Sequence, residues 1–370
     1  MWLDKISILN YKNLSSVELS FSPKINCILG KNGMGKTNLI DAVYFLSFCK
    51  SATNAVDSQN ILHNADFFML HGTYKAGIDE DRVEEISCAL KRRQKKVFKR
   101  NKKEYTRLAE HIGLIPVVIV SPNDLSLIAG GSEERRRFMD LVLSQYDKEY
   151  LEALISYNKA MQQRNAMLKA EAEPQEEILL LWEEIMAQKG QMIFRKRRAF
   201  IEKFIPIFQH YYTAIAGEEE QVSLKYESHL MAGELSVLLR ESYAKDRIMG
   251  YSLKGVHKDD LQMELEGFPI KREGSQGQNK TFLTALKLAQ FTFLKDLGTT
   301  PIVLLDDIFD KLDSHRVTKI LSLVSNADFG QIFITDTNRT NLDKILADVQ
   351  PHDYKIFEVE QGNIVELRVE

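Results

Sequence analysis

The residues with the clearest chemical spacing are Gly30–Thr37, which follow the pattern G-x-x-x-x-G-K-T. In such a loop the glycines let successive backbone N–H groups turn inward around a polyphosphate, where a Cβ atom would obstruct them. Lys36 would then reach the β- and γ-phosphates of ATP, and the Thr37 hydroxyl would ligate Mg²⁺. The nucleotide-binding residues predicted here are Gly30, Lys31, Asn32, Gly33, Met34, Gly35, Lys36, Thr37 and Asn38.

Ile302–Asp307 has the composition of the acidic strand that accompanies a P-loop, because an apolar run ends in two aspartates. A buried strand of this kind would deliver Asp306 to the Mg²⁺ shell and place Asp307 at the strand end, where it can orient an attacking water. Alone, the two acids could equally cap a loop. Combined with the P-loop they predict hydrolysis, with Asp307 and Lys36 catalytic and with Thr37 and Asp306 as metal ligands.

Gly274–Gln278 (GSQGQ) precedes a helical pattern and is a further candidate phosphate contact. A hydroxyl and free backbone N–H groups at the start of a helix can bind a phosphate, which makes Ser275, Gly277 and Gln278 candidate nucleotide ligands. The same residues could instead serve only to cap the helix.

The elements around these motifs must hold them in position. The apolar run Ile25–Leu29 precedes the P-loop and a helical pattern, Asn38–Phe48, follows it, which is the context that a P-loop requires. Pro301–Leu305 and Gln331–Thr335 are apolar runs without alternation, which indicates buried parallel strands. Tyr354–Val369 has the pattern of an edge hairpin. The predicted fold class is therefore α/β, with a mixed sheet and helices.

The middle of the chain has a different periodicity. From Ser132 to Ile155 and from Ile178 to Phe208, apolar residues recur at intervals of three and four, with Pro174 between the two patterns. These spacings predict two long antiparallel helices. On the second of them, the basic cluster Arg195–Arg198 reads as a solvated face.

This periodicity divides the chain into three segments. Residues 1–120 are predicted to form the N-terminal part of an ATPase head, with the P-loop and a basic hairpin. Residues 121–248 are predicted to be an all-helical insertion lobe, or arm. Residues 249–370 complete the head with the GSQGQ segment and the paired aspartates. One head is thus expected from both ends of the chain.

Composition excludes several classes of protein. The 370 residues are 44% hydrophobic and 27% charged, as in an ordinary soluble globular protein. Cys27, Cys49 and Cys88 form no C-x-x-C pair, which argues against a disulfide framework or a zinc site and fits a reducing cytosol. No apolar run approaches the ~20 residues of a membrane helix, and the N-terminus has no secretory pattern. We therefore expect a cytoplasmic protein without a membrane partner.

Positive charge is concentrated in Lys91–Lys103, which contains nine basic residues and no acid. The other residues carry 40 bases (49 minus 9) against 52 acids, a balance of −12. A basic segment on an acidic body predicts a local anionic partner such as DNA. A merely solvated hairpin, turning near Asn101, is the alternative. A smaller cluster, His257–Asp260, could bind a metal, but it lacks a full ligand set and a structural role is expected.

The combination of these motifs resembles the RecF family of bacterial recombination mediators, in the SMC-type branch of the ABC ATPases, along the whole chain. The matching segments are residues 3–14, 30–47, 120–140, 255–261, 274–290 and 304–313. The resemblance implies an ABC-type ATPase head that dimerises on ATP and acts on DNA at gaps between single- and double-stranded regions. It also implies RecR- and RecO-type partners and help in loading RecA. In that dimer Ser275 would contact the γ-phosphate of the other subunit, and Asp310 and Asp313 would lie at the interface.

Two departures separate this chain from ABC transporters. Asp307 stands where transporters carry glutamate, and no histidine occurs near Thr335-Asp336. The shorter aspartate holds water less readily, so we expect weak, DNA-stimulated ATP hydrolysis that resets the protein slowly. The alternatives are a transport-coupling ATPase subunit and a structural DNA-bridging protein with a vestigial nucleotide site. The missing histidine argues against the first, and the intact Lys36, Thr37, Asp306 and Asp307 argue against the second.

Overall fold

A computed structural model describes residues 1–77, 82–308, 314–324, 329–346 and 353–367. The described residues divide into two compact units. The first unit contains Met1–Asp124 and Lys280–Glu370, and the second contains Leu125–Asn279. Asp310 and Asp313, which the resemblance implies at a dimer interface, lie outside the described residues.

The first unit begins with strands and the helix that follows the P-loop. In chain order these are β1 (Trp2–Tyr11), β2 (Leu14–Ser20), β3 (Ile25–Leu29), α1 (Lys36–Phe48), β4 (Phe67–Lys75), β5 (Val83–Lys91), β6 (Val97–Arg100), β7 (Lys103–Glu104) and β8 (Val117–Val120). After the second unit, the first unit resumes within α8 (Gln276–Asp296), which begins in the second unit. It ends with β12 (Ile302–Asp306), α9 (Ser314–Val324), β13 (Ile332–Asp336), α10 (Arg339–Leu346), β14 (Tyr354–Glu360) and β15 (Asn363–Leu367).

A mixed sheet of order β15-β14-β3-β13-β12-β8 carries the nucleotide motifs. Strands β14, β3, β13, β12 and β8 are parallel neighbours, and β15 adds an antiparallel edge. Every residue of β3, β12 and β13 is buried, as their unalternated apolar sequences predict. The hairpin predicted for the C-terminal segment is confirmed as β14–β15. Parallel pairing brings the ends of β3 and β12, with their motifs, to the same edge of the sheet.

An antiparallel sheet of order β2-β1-β4-β5-β6-β7 forms the other layer. Helix α1 has contacts with both sheets, through β4, β1 and β5 on one side and β12, β13 and β8 on the other. This placement explains why α1 is apolar around most of its circumference. Aromatic side chains fill the layer: Tyr11 packs edge-on against Phe45 of α1 and Phe68 of β4. The P-loop helix is therefore held rigidly between two sheets.

The second unit contains most of the helices. They are α2 (Leu125–Ala129), α3 (Ser132–Tyr146), α4 (Lys148–Lys169), α5 (Glu176–Ala216), α6 (Leu235–Met249) and α7 (Ile270–Glu273). Helices α4 and α5 are antiparallel, because Tyr150 meets Arg197 while Arg164 meets Glu183. The second predicted long helix is confirmed as α5, whereas the first, Ser132–Ile155, is divided between α3 and α4 because Asp147 has an extended backbone conformation.

The lobe is not all-helical, which corrects the prediction. Strands β9 (Val222–Glu227), β10 (Asp260–Leu265) and β11 (Phe268–Pro269) form a small antiparallel sheet within it. The unit also runs from Leu125 to Asn279, whereas residues 121–248 were predicted. The segment 249–279 belongs to this unit because β10 pairs with β9 along its whole length.

Arg197 also departs from the solvated face predicted for Arg195–Arg198. Its side chain is only 1% exposed and forms ion pairs with Asp140 and Asp259, both at 2.7 Å. The basic run is visible in the sequence, but the acidic partners of Arg197 lie on distant segments of the chain. Arg195 and Arg198 are exposed, as expected.

Candidate nucleotide-binding site

The P-loop connects the buried end of β3 to the first turn of α1. The cavity beside it has a volume of about 140 Å³. Its lining consists of Asn32, Gly33, Gly35, Lys36, Thr37, Asn38, Asp306 and Asp307. The structure thus brings the P-loop and the paired aspartates together, although 269 residues separate Thr37 from Asp306.

Lys36 folds back onto the P-loop. Its ammonium group donates hydrogen bonds to the carbonyl oxygens of Gly30 at 2.6 Å and Lys31 at 3.1 Å. Burial lowers the pKa of Lys36, and the charges of Asp307 and Asp306 oppose that effect. The ammonium group therefore sits at the cavity wall, held by weak neutral acceptors that a phosphate oxygen can replace.

Thr37 and Asp306, which also line the cavity, belong to a hydroxyl–carboxylate cluster. Thr37 Oγ1 donates to Asp306 Oδ1 at 3.1 Å, and Thr335 Oγ1 donates to the same oxygen at 2.8 Å. Burial raises the pKa of Asp306, while the two hydroxyl hydrogen bonds act in the opposite direction. These contacts fix the orientation of the carboxylate.

Asp307 adopts a left-handed backbone conformation with φ of 51°. Aspartate tolerates this region better than most residues. Its backbone N–H donates to Thr335 Oγ1 at 2.9 Å, so Thr335 links both aspartates. Thr335 occupies the segment where transporters carry a histidine, and the sequence analysis did not assign it a role.

Asn13 is a further residue that the sequence analysis missed. In the turn between β1 and β2, its Nδ2 donates to the carbonyl of Met34 at 3.1 Å and its Oδ1 accepts from Asn38 Nδ2 at 2.7 Å. The backbone N–H of Gly362, in the β14–β15 turn, donates to the same Met34 carbonyl at 3.0 Å. A Cβ on Gly35, whose φ is 124°, would lie 2.9 Å from Asn13 Oδ1. Two distant turns therefore clamp the P-loop.

Ser275, Gly277 and Gln278 belong to the second unit and do not line this cavity. Ser275 precedes α8 and forms a reciprocal cap with Gln278. Its backbone N–H donates to Gln278 Oε1 at 2.9 Å, and its hydroxyl accepts from the Gln278 N–H at 3.2 Å. Because the hydroxyl is an acceptor in this cap and Ser275 is exposed, its proton stays available for an outside acceptor.

The segment His257–Asp260 has a structural role. His257 Nε2 donates to the carbonyl of Ser252 at 2.9 Å, so Nδ1 accepts from the Tyr157 hydroxyl at 2.8 Å. Asp259 pairs with Arg197, and Asp260 with Arg135. Among the described residues, no cluster of three or more His, Cys, Asp and Glu side chains could hold a metal.

The basic segment Lys91–Lys103 spans the end of β5, strand β6 and the start of β7. Two of its cations form ion pairs: Lys96 pairs with Asp57 at 2.7 Å, and Arg100 with Glu84 at 2.7 Å. Arg92 Nε donates to the carbonyl oxygen of Ala65 at 2.9 Å. The Arg100 hydrogen bonds hold the pKa of Glu84 at about 2. The exposed cations are Lys91, Arg92, Arg93, Lys95, Lys99, Lys102 and Lys103.

Comparison with known proteins agrees with this geometry. Residues 2–364 match the family model described as RecF/RecN/SMC N terminal domain. A curated relative from Phocaeicola vulgatus, named DNA replication and repair protein RecF, is 64% identical over 370 residues, covering 100% of this chain and 99% of the relative. The chain belongs to the RecF family. The family and fold class expected from the sequence are thereby confirmed.

Two solved structures are similar to this chain in fold. The recombination mediator protein RecF with ATP, described in the RecFOR pathway, superposes with a TM-score of 0.87 at 28% identity, covering 99% of this chain and 98% of that one. An Smc head domain from Pyrococcus furiosus superposes with a TM-score of 0.59 at 17% identity, covering 99% and 96%. Among the described helices, none is both long and apolar enough to cross a membrane.

Proposed function

We propose that this protein is an ATP-dependent DNA-binding protein of DNA replication and recombinational repair. The observation that carries the proposal is the cavity in which Lys36 and Thr37 meet Asp306 and Asp307. The relatives are named for DNA replication and repair, and one solved relative contains ATP. Membership in the RecF family favours this role over the transport-coupling alternative, and the intact cavity favours it over a vestigial site.

Mg²⁺ fits the donor set in this cavity. The Thr37 hydroxyl and the Asp306 carboxylate are hard oxygen ligands, and they already lie 3.1 Å apart. The second hydrogen bond, from Thr335, orients the carboxylate. When bound with ATP, the ion would neutralise charge on the β- and γ-phosphates.

Hydrolysis would depend on Asp307 and Lys36. The carboxylate of Asp307 lines the cavity and can orient or deprotonate an attacking water. Lys36 would leave the carbonyls of Gly30 and Lys31 to bind the phosphates, as a charge-assisted contact replaces neutral ones. The Asp307 side chain is shorter than glutamate, which supports a weak ATPase, stimulated by DNA, that resets the protein slowly.

Assembly would follow from the GSQGQ segment. An exposed Ser275 hydroxyl with an available proton, at the start of α8, suits a γ-phosphate. In ABC-type heads this group comes from the facing subunit, so two subunits would enclose two ATP molecules in an isologous dimer. ADP lacks the γ-phosphate and would release the dimer. Gly277 and Gln278 would support this contact.

The dimer would act in the cytoplasm on gapped DNA, at junctions of single and double strands. It would help to load RecA together with RecR- and RecO-type proteins, as RecF-family membership implies. The exposed cations of Lys91–Lys103 would supply part of the DNA contact through the phosphates.

Fluorescence anisotropy with a labelled gapped duplex, in ATP, in ADP and without nucleotide, tests this proposal. We expect much tighter binding in ATP than in either other condition. Lys36→Ala should abolish the ATP effect, because it removes the phosphate-binding ammonium. Equal DNA binding in all three conditions, or no binding at all, would contradict the proposed function.

A further inference from the structure

A cavity in the second unit has no role in the site described above. It lies between the α2–α3 connection, strand β10 and the short helix α7. Its volume is about 380 Å³, which falls within the roughly 300–1,000 Å³ typical of small-molecule sites. All of its lining residues belong to this unit, so the cavity is complete within it.

One side of the cavity is apolar. Ile128, Met263 and Ile270 are buried side chains, and Pro269 lies beside them. Apolar side chains of this kind pack against flat aromatic groups without requiring hydrogen bonds, so they tolerate any nucleobase. Strand β10 and helix α7 hold this side in place, because they contact each other directly.

The rim of the cavity carries positive charge. Lys271 and Arg272 line the cavity and are exposed, and neither has a hydrogen-bond or ion-pair partner among the described residues. Arg135 also lines the cavity, but Asp260 neutralises it through two hydrogen bonds of 2.6 and 2.9 Å. The charge available to a ligand therefore comes from Lys271 and Arg272, and it suits an anion.

The remaining features of the cavity are the polar side chain of Gln262 and the unoccupied region beside Gly131. Gln262 Nε2 contacts Asp260 and Glu227 at 3.2 Å, and its Oε1 has no partner among the described residues. That oxygen can accept a hydrogen bond from a base edge. At Gly131 no atom lies within 4 Å of the position of an added Cβ, and its φ of −90° suits any residue.

We propose that this cavity binds one nucleotide of single-stranded DNA. The base would pack against the apolar side, and the flanking phosphate would contact Lys271 and Arg272. This inference rests on the proposed DNA-binding function and locates a contact for the single-stranded part of its substrate. A nucleoside phosphate could also come from a free nucleotide, and the experiment below distinguishes the two sources.

The double variant Lys271→Gln/Arg272→Gln tests whether these two positive charges contribute to DNA binding. It alters exposed side chains only. In ATP, its affinity for a single-stranded oligothymidylate should fall severalfold. The slope of log affinity against log salt should flatten by roughly 0.7, the value for one lost phosphate contact on a single strand. The matched control is Lys203→Gln/Lys245→Gln, two exposed cations of the same unit that do not line the cavity. It should retain the wild-type slope.

Gly131→Leu tests whether DNA binding needs the open volume of the cavity, because leucine adds a side chain there without changing the charge. The control is Gly233→Leu, because Gly233 lies in the same unit and is equally open. Gly131→Leu should weaken oligothymidylate binding severalfold, whereas Gly233→Leu should not. Calorimetry with ATP should give the wild-type affinity for every variant, which separates this cavity from the P-loop site.

Contact is tested with a single-stranded oligonucleotide that contains 4-thiothymidine. After irradiation and digestion, mass spectrometry should find the cross-link within residues 262–272. Excess unlabelled oligothymidylate should compete, and thymidine monophosphate should not. Competition by the mononucleotide would make this a free-nucleotide site and overturn the proposal, as would wild-type binding by both cavity variants. Failure of the wild-type protein to bind any DNA would instead contradict the proposed function itself.

Discussion

At the scale of single residues, local spacing predicted the groups that line the nucleotide cavity. Lys36, Thr37, Asp306 and Asp307 could be assigned because each lies within a short motif of fixed geometry. Asn13 and Thr335 could not, because their partners lie 21 and 29 residues away and meet them only after folding. Each contributes hydrogen bonds to a backbone or carboxylate group, and no spacing rule describes such contacts.

The role of Asp307 can be tested by Asp307→Asn. The amide keeps the size and the hydrogen-bonding capacity of the side chain, but it cannot accept a proton from water. The variant should bind ATP normally and hydrolyse it at least tenfold more slowly, which corresponds to about 1.4 kcal/mol in the barrier. Single-turnover hydrolysis measures the rate. A wild-type rate would show that another group positions the water.

Asn13→Ala tests the clamp on the P-loop. It removes the hydrogen bond to the Met34 carbonyl and the acceptor for Asn38. Losing two such bonds, at about 1 kcal/mol each, should weaken ATP binding by roughly tenfold or more. Calorimetric titration with ATP measures this effect. Ser16→Ala, an exposed position on the adjoining strand β2, is the control and should bind like wild type. If Asn13→Ala and Ser16→Ala bind ATP with equal affinity, the Asn13 hydrogen bonds do not support nucleotide binding.

Among the secondary-structure elements, the sequence predicted those that have a clear local pattern: an unbroken apolar run for a buried strand, or apolar residues at intervals of three and four for a long helix. Strands β3, β12 and β13 are buried on all sides, so their unbroken apolar sequences identified them. Strand β9 was missed because its short alternation lies between helices. Its partner β10 lies far along the chain, since the paired residues Tyr226 and Leu261 are 35 positions apart (261 minus 226). Pairing of distant segments, and not local propensity, decides such elements.

The basic element Lys91–Lys103 can now be tested more selectively than the sequence allowed. Lys96 and Arg100 should be kept, because they pair with Asp57 and Glu84. A variant in which four exposed lysines become glutamine should flatten the salt dependence of duplex binding by roughly 3.6 in log–log slope, at about 0.9 per contact. The four lysines are Lys95, Lys99, Lys102 and Lys103.

The control for this element replaces four exposed lysines of the second unit by glutamine. They are Lys159, Lys203, Lys225 and Lys245. Net charge changes by the same amount in both variants, so only a local contact can distinguish them. Equal slopes in the two variants would remove the basic hairpin from the DNA-binding surface.

In the whole molecule, the sequence predicted an ATPase head assembled from both ends of the chain, and both ends do lie in one compact unit. It did not indicate where the inserted unit ends, because α8 continues without a break from the second unit into the first. A helix without an internal proline or a composition change gives no local signal of such a boundary. The order of the motifs along the chain, in contrast, could be read directly.

Each unit contains a neutral histidine shielded from solvent, His111 fully buried in the first unit and His257 partly buried in the second, so stability should depend on pH. Burial lowers the pKa of His111 and of His257 to about 4. Below the ordinary value of about 6.5 the unfolded chain takes up protons that the folded chain does not, so stability falls as the pH drops toward 4. Each histidine should contribute up to about 1.4 kcal/mol per pH unit in that range.

His111→Gln tests this dependence in the first unit. Glutamine can still donate to the Leu46 carbonyl, which accepts from His111 Nε2 at 2.7 Å, but it cannot be protonated. Urea unfolding between pH 7.5 and 5 should show a shallower loss of stability in this variant. His63→Gln, at an exposed position, serves as the control. The explanation fails if His111→Gln and wild type lose stability in parallel.

We propose that ATP drives dimer assembly, and light scattering of Asp307→Asn tests this proposal. This variant should hold ATP without hydrolysing it, so its mass should double in saturating ATP and stay monomeric in ADP or without nucleotide. Ser275→Arg, with its P-loop intact, should bind ATP and remain monomeric, as should Lys36→Ala, which cannot bind it. A monomer of Asp307→Asn with ATP bound, or a full dimer of Ser275→Arg, would contradict ATP-driven assembly through Ser275.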